Sequence, residues 1–359
     1  MDFDQNNSLS GPGPQEGPEE LRPEAVQPIP AGPDMTRPQV NKLKKRSGWR
    51  IFWGIILALS ILANIVLFLM VIAMGTFFVI GQEGVFTEEV IRDGPRTTKI
   101  AVVRLQGIID DDQARDVYRQ LKRARQDDRV KGIILRVNSP GGTVSGSDRI
   151  YNEIQHKTDK PVVAFMQGVA ASGGYYASVA CDKIVAEPTT ITGSVGVIAG
   201  YMVLQEFLEE KLGIQPVIVK SGKKKDWPSS FRVPSEEEKQ YVYEKLITPA
   251  YERFLAVVAE GRQSVLTLDD IRPLADGSIY GAKEAQDEKL IDKIGYLDDA
   301  IDQVKSLAEI EKAQVVEYRK PFSFTDLLEA QGRSIPKIDK RTLFELRTPE
   351  LLYLWTMWD

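Results

Sequence analysis

Between Ile51 and Ile80 the chain carries no charged residue. As a helix those thirty residues extend about 45 Å at ~1.5 Å per residue, more than the ~30 Å apolar thickness of a bilayer. Length and hydropathy favour a membrane-spanning helix over a core helix of a soluble domain. Ser60 and Asn64 are its notable polar interruptions. The flanks differ in charge: residues 36–50 carry Arg37, Lys42, Lys44, Lys45, Arg46 and Arg50, whereas residues 81–95 carry only Arg92. The positive-inside rule therefore keeps the N-terminus in the cytoplasm. The run is too long for the apolar region of a cleaved signal peptide, and no clear A-x-A site follows it. The expectation is an uncleaved, single-pass anchor in the cell membrane that holds residues 82–359 outside the cytoplasm.

Composition narrows the possibilities on either side of the anchor. The first forty residues hold eight of the twenty prolines, with seven acids against two bases, which accounts for the whole net charge of −5. Such a stretch buries too little apolar surface to offset its ordering entropy, so residues 1–41 are expected to be a disordered acidic tail. Residues 42–81 form the basic flank and anchor. Beyond residue 40 the charges balance, and no basic surplus supports nucleic-acid binding. One Cys and one His exclude an internal disulfide and a Cys/His zinc site, and no metal or cofactor is expected. A Ser-His-Asp enzyme would have to use His156 as its base. That residue lies near the end of a predicted helix and is expected to face solvent, so a nucleophile here is expected to use another base. Cys181 follows an apolar helix and is expected to be a small buried residue.

From Lys99 onward, strand-like and helical patterns alternate. Ile100–Leu105, Gly132–Val137 and Val162–Met166 read as strands; Asp110–Gln126, Ser147–His156 and Ser172–Ala180 read as helices. This alternation predicts βαβ units and a parallel sheet. Further strands are expected at Lys183–Ala186, Val195–Ala199 and Pro216–Lys220. Ser235–Glu260 reads as one amphipathic helix, with Val242, Leu246, Ala250, Phe254 and Val258 on its apolar face.

Two glycine-containing turns could carry chemistry. The strand Gly132–Val137 runs into Asn138-Ser139-Pro140-Gly141-Gly142, where proline stops the ladder and two glycines open backbone geometries closed to other residues. Backbone N–H groups at such a turn suit a developing oxyanion, though an ordinary tight turn has the same composition. The second is Gly168-Val169-Ala170-Ala171-Ser172-Gly173-Gly174-Tyr175-Tyr176, which also leads from a strand to a helix. Small neighbours let a substrate backbone approach the Ser172 hydroxyl, and the helix start supplies N–H donors. The other reading makes Ser172 an N-cap and the small residues a close-packing device. The G-x-S-x-G elbow of α/β-hydrolases is absent. A lysine can activate a serine when desolvation keeps it neutral, and Ser221-Gly222-Lys223-Lys224-Lys225-Asp226 offers three candidates. The spacing does not choose among them, and from charge alone such a run is more often a solvated loop.

In combination, N-S-P-G-G at 138–142, A-S-G-G-Y-Y at 171–176, T-G-S-V-G-V-I at 192–198 and S-G-x-x-K-D at 221–226 resemble the signal peptide peptidase A family. The resemblance covers residues 98–320, after a linker at 82–97 and before a C-terminal segment at 321–359; the anchor is similar to that of single-domain bacterial members. A fifth segment, Ala275-Asp276-Gly277-Ser278-Ile279-Tyr280, is similar to the family's A-D-G-x-x-Y. Here the following glycine comes one position early, as Gly281, and Lys289 stands where the family usually has glycine.

What the resemblance implies is an α/β fold of the Clp-protease/crotonase type, with repeated β-β-α units, preceded by one transmembrane helix. It further implies a Ser/Lys serine endopeptidase: Ser172 as nucleophile, Lys225 as general base because it precedes Asp226, Ser194 orienting the lysine, and Gly142 with Gly173 forming the oxyanion hole. No cofactor or metal is implied. Apolar peptides such as remnant signal peptides would be substrates, and a homo-oligomer would share each dyad between protomers. Tyr175, Tyr176 and Val195–Ile198 could line an apolar groove or simply pack in the core. Two other readings compete, a crotonase-type acyl-CoA enzyme and a catalytically idle peptide-binding scaffold. The apolar run Leu351–Trp358 could dock on a neighbour or occupy a groove.

Overall fold

The computed structural model describes residues 48–82, 86–320 and 350–355, with side chains from 48 to 73 in the first segment. The expected acidic tail, residues 42–47 of the basic flank, and residues 321–349 and 356–359 lie outside these. Gly48–Gln82 forms one 35-residue helix, α1. Its span Gly48–Ala73 has a mean hydropathy of 3.0 and no buried share, and is long and apolar enough to cross a membrane. The Asn64 amide donates to the Ser60 carbonyl at 2.8 Å, so this polar interruption is satisfied within the helix, as a lipid environment requires.

The other described residues form an α/β unit. In order these are β1 (Thr87–Arg92), β2 (Lys99–Gln106), α2 (Asp111–Gln126), β3 (Val130–Ser139), β4 (Gly141–Thr143), α3 (Val144–Lys157), β5 (Val162–Ala171) and α4 (Gly173–Ser178). Then come β6 (Lys183–Ala186), β7 (Ile191–Gly193), β8 (Ile198–Gly200), α5 (Glu236–Val242), α6 (Thr248–Gly261) and α7 (Leu268–Ile271). The last elements are β9 (Ile279–Gly281), α8 (Ala282–Asp287), β10 (Lys293–Ile294), α9 (Leu297–Leu307), β11 (Gln314–Arg319) and β12 (Glu350–Leu354).

The main sheet has the order β1-β11-β2-β3-β5-β6-β10. It is parallel from β11 to β10, with β1 as an antiparallel edge. Its central strands are nearly continuous apolar runs because both faces are covered. Along β2, Ala101, Val103 and Leu105 enter one core cluster while Ile100 and Val102 enter the other, as the two-residue period of a strand dictates. Asp110 caps α2 by accepting from Gln113 N at 2.7 Å, which fixes the helix start where the sequence placed it.

Three expectations need correction. Val195–Ala199 is not one strand; pairing stops at Gly193 and resumes at Ile198. Pro216–Lys220 is irregular, with Val217 and Val219 85% and 94% exposed. Its β-branched residues have no neighbouring edge among the described residues, and strand preference is realised only against a partner. Ser235–Glu260 is interrupted by a π turn at Tyr243–Ile247. Pro249 has no N–H to donate, and its ring crowds the carbonyl four residues back; the wider turn relieves that conflict. The extra residue rotates the helix face, so Ala250, Phe254 and Val258 are buried while Leu246 is exposed and Val242 half-buried.

Candidate active site

The site begins with a change of partner along β5. Residues Val163–Met166 pair with β6, whereas Val169–Ala171 pair with β7. Between them lies Gly168 at φ +57, and the β3 register jumps from Val137↔Met166 to Ser139↔Ala170. A glycine at positive φ lets the strand bulge without steric cost, so its second half is redirected away from β6.

Ser172 follows at the end of that half-strand. Its φ of +51 and ψ of −114 are sparsely populated for a residue with a side chain, a strain of roughly 1–3 kcal/mol. The conformation is held from both sides: the Ser172 N–H donates to Gly193 O at 2.8 Å, and its carbonyl accepts from Tyr176 N at 2.8 Å. The residue is 1% exposed and its side chain makes no capping hydrogen bond. The sharp strand-to-helix turn is thus present although its sequence, Ala170-Ala171-Ser172-Gly173-Gly174, is not G-x-S-x-G.

The N-S-P-G-G turn lies beside it. Ser139 Oγ donates to Gly107 O at 2.6 Å and accepts from Gly141 N at 3.1 Å, which pins the turn. Ile109 N donates to Gly141 O at 2.8 Å, and Thr143 N donates to Ile109 O at 2.7 Å. With those groups engaged on one side, the N–H of Gly142 faces the other, as strand alternation requires. Space here admits only glycine. A Cβ on Gly142 would overlap the Ile109 backbone; one on Gly141, at φ +103, would lie 2.7 Å from Gly173 N; one on Gly174 would lie 2.8 Å from Ser139 O. The two turns therefore touch through their backbones.

Ser194 is placed by register. Ala171 pairs with Gly193, so Ser172 and Ser194 follow one another off adjacent strand ends. Ser194 has φ +50, is buried, and donates its N–H to Ser278 O at 2.7 Å. The Ala275–Tyr280 segment thus clamps Ser194 from behind: β9 pairs with β7, and Gly193 at φ +82 packs against the Tyr280 ring. The Asp276 carboxylate accepts from Ser278 N at 2.9 Å, and the Ser278 hydrogen bonds hold its pKa below the usual value.

The three lysines separate by their partners. Lys223 pairs with Glu237, and the Lys224 ammonium sits 4.4 Å from the centroid of the Tyr241 ring. Lys225 is exposed, with no side-chain partner among the described residues. Asp226, next to it, is held below the ordinary carboxylate pKa by a hydrogen bond from Lys220 at 2.6 Å. No contact joins Lys225 to Ser172 in the single chain, so the structure brings together Ser172, Gly142, Gly173 and Ser194 and leaves the lysine apart. Tyr175 and Tyr176 are fully buried and belong to the core. Tyr175 donates to Leu290 O at 3.0 Å, and Tyr176 to Asp148 Oδ1 at 2.6 Å. Burial is the main cause that raises both phenol pKa values. His156 is exposed and Cys181 buried, as expected.

The sequence left open whether the apolar run Leu351–Trp358 docks on a neighbour or occupies a groove, and its described part lies in a groove of this chain. The short strand β12 lies between β4 and β8 in a separate three-stranded sheet, directly over the Gly141–Gly142 turn. Its Tyr353 ring is fully buried against Tyr176 and Phe254, with centroids 5.0 and 4.6 Å away.

The family model for peptidase family S49 matches residues 154–311, and that for the NfeD1b N-terminal domain matches residues 99–202. A putative signal peptide peptidase SppA from Enterococcus faecium is 39% identical over 246 residues, which is 65% of this chain and 70% of that protein. A putative protease from Methanocaldococcus jannaschii is 40% identical over 196 residues, covering 54% of this chain and 61% of that protein. A chloroplastic serine protease SPPA from Arabidopsis thaliana is 34% identical over 232 residues, 63% of this chain and 34% of that protein. With the parallel sheet, the strained serine and the paired glycine turns, these relatives define a serine peptidase. The chain belongs to peptidase family S49, in its signal peptide peptidase A group.

Proposed function

We propose that this chain is a membrane-anchored serine endopeptidase that hydrolyses apolar peptides, such as signal peptides left in the membrane after secretion. The observation that carries this reading is the backbone juxtaposition of Ser172, Gly142 and Gly173. Ser172 Oγ attacks the scissile carbonyl, and the N–H groups of Gly142 and Gly173 receive the oxyanion. Lys225, neutral, takes the Ser172 proton and delivers it to the leaving amine; Ser194 orients the lysine; water then releases the acyl-enzyme. A lysine works as a base when desolvated, and Lys225 is exposed in the single chain. A second copy supplies that burial. The exposed apolar residues Met202, Phe207, Leu212, Ile214, Val217 and Val219 around the lysine loop support such an assembly, in which neighbouring protomers share each dyad. The β3-β4-α3 unit supports a Clp-protease/crotonase-type architecture, α1 supports a single-pass anchor, and the basic residues before it favour a catalytic unit outside the cell membrane.

The test uses the full chain in detergent with a fluorogenic apolar peptide. Turnover is expected to vanish in Ser172→Ala and Lys225→Ala and to persist in Lys223→Ala and Lys224→Ala. Activity in Lys225→Ala would reassign the base, and an inactive but assembled wild type would favour the peptide-binding scaffold.

A further inference from the structure

The turn that carries Lys225 is tied down by charges that the proposed reaction does not use. Lys225 N donates to Gly222 O at 3.1 Å, which closes the turn, and Asp226 follows directly. Asp226 accepts from Lys220 Nζ at 2.6 Å, and the same ammonium donates to Lys223 O at 3.2 Å, so one lysine braces the turn at two points. The other Asp226 oxygen lies 3.5 Å from Arg232 Nε. Arg232 also donates, through Nη1, to Glu238 Oε2. The segment between them is itself fixed, with Leu204 N donating to Ser230 O at 2.7 Å.

Glu238 is the buried end of this chain of charges. Ser235 caps α5 by accepting from Glu238 N at 3.2 Å, which places Glu236, Glu237 and Glu238 in the first turn, where acids suit the helix dipole. Glu236 and Glu237 are exposed, whereas Glu238 is fully buried and its Oε1 accepts no hydrogen bond among the described residues. Burying a carboxylate against one guanidinium costs desolvation that their attraction does little more than offset, and an apolar pair of similar volume would serve stability as well. What the pair supplies is geometry. A guanidinium is a planar fork, and here one arm holds a buried group on α5 while another faces the aspartate beside Lys225.

We propose that Arg232 and Glu238 are positioning residues: from the start of α5 they hold, through Asp226, the turn that presents Lys225 to the Ser172 of a neighbouring protomer. This deepens the function proposed above and rests on Lys225 as the base. A base must come within about 2.6–3.2 Å of the hydroxyl it deprotonates, and a loop free to swing rarely does so. Lys220, Asp226, Arg232 and Glu238 alternate in sign, so together they fix the turn without adding net charge beside the lysine. The Lys223–Glu237 pair also joins the turn to α5, but both groups are exposed and screened by water, so it contributes little.

The experiment measures kcat and KM for the fluorogenic apolar peptide with the full chain in detergent, and gives each variant a urea melt and a sizing run. Arg232→Lys keeps a cation for Glu238 but loses the second arm. It is expected to fold and assemble as wild type while kcat falls about tenfold or more, toward the ~hundredfold cost of a ~1 Å misplacement, with KM unchanged. The double variant Arg232→Met with Glu238→Leu is expected to match wild-type stability and to show the same loss of kcat. Glu237→Gln, which breaks the exposed pair one residue earlier, is expected to keep wild-type kcat. A merely structural role predicts instead that kcat follows the urea midpoint, so that the stable double variant is fully active. Either variant, folded and with kcat within a few-fold of wild type while Lys225→Ala is inactive, overturns the inference alone. So does unfolding of both variants, or a loss of assembly whose kcat returns at higher protein concentration. An active Lys225→Ala overturns the assignment of the base and this inference with it.

Discussion

Gly141→Ala tests whether the two glycine turns form one oxyanion hole. Gly141 sits at φ +103, a conformation nearly closed to residues with a side chain, so the substitution strains the backbone by about 1–3 kcal/mol. The new methyl would also lie 2.7 Å from Gly173 N and overlap the Tyr353 carbonyl oxygen. Displacing one oxyanion donor typically lowers kcat by about 10²–10³, or ~2.7–4 kcal/mol of transition-state stabilisation. Gly213→Ala is the control: φ is +64 and nothing lies within 4 Å, so it carries backbone strain of about 1 kcal/mol and no intrusion. The assay pairs urea denaturation with peptide turnover. Both variants are expected to lose stability, but only Gly141→Ala loses kcat. A folded Gly141→Ala enzyme with kcat within a few-fold of wild type would refute the assignment of this turn to the oxyanion hole.

Three further outcomes follow from features outside the proposed dyad. Lys289 holds φ +59 at the end of α8, so Lys289→Gly is expected to raise stability by roughly 1 kcal/mol in urea melts; an unchanged midpoint would mean the turn is unstrained. Phe254→Ala removes a fully buried ring between Tyr176 and Tyr353 and is expected to cost about 3–5 kcal/mol, read as a lowered denaturation midpoint. The Asp127 carboxylate is held well below its ordinary pKa of 3.8, chiefly by side-chain hydrogen bonds from Arg129. A depressed folded pKa gives stability that is complete above the ordinary value and lost as pH falls through the folded one. Unfolding midpoints measured from pH 7 down to 2 are expected to fall below about pH 4, and Asp127→Asn to flatten that decline.

The parts of the fold legible in the sequence are those specified locally. Val162–Met166 and Lys183–Ala186 read as strands because a doubly covered parallel sheet needs uninterrupted apolar runs. Asp110 marks a helix start through its own side chain. Ser172, Gly142 and Ser194 were marked by the small and glycine residues that their backbones demand. The unread features depend on distant partners. Nothing in Leu351–Trp355 tells that it pairs with Gly141–Thr143 some two hundred residues earlier. Pro216–Lys220 has strand composition but no edge to join among the described residues, and the π turn at Tyr243–Ile247 accompanies the accommodation of Pro249.

The edges of β4 and β8 hold β12 by its main chain, and a substrate held in the same way would limit which proteins can be cut. A residue already in a helix or sheet has its N–H and C=O engaged, so it must first be released by local unfolding. At ~1.4 kcal/mol per factor of ten, a segment held by about 5 kcal/mol is available only once in several thousand encounters. Intact folded proteins would thereby be spared without any recognition of their sequence. Fragments too short to fold carry no such protection, and the same two strand edges that admit them exclude nearly everything else.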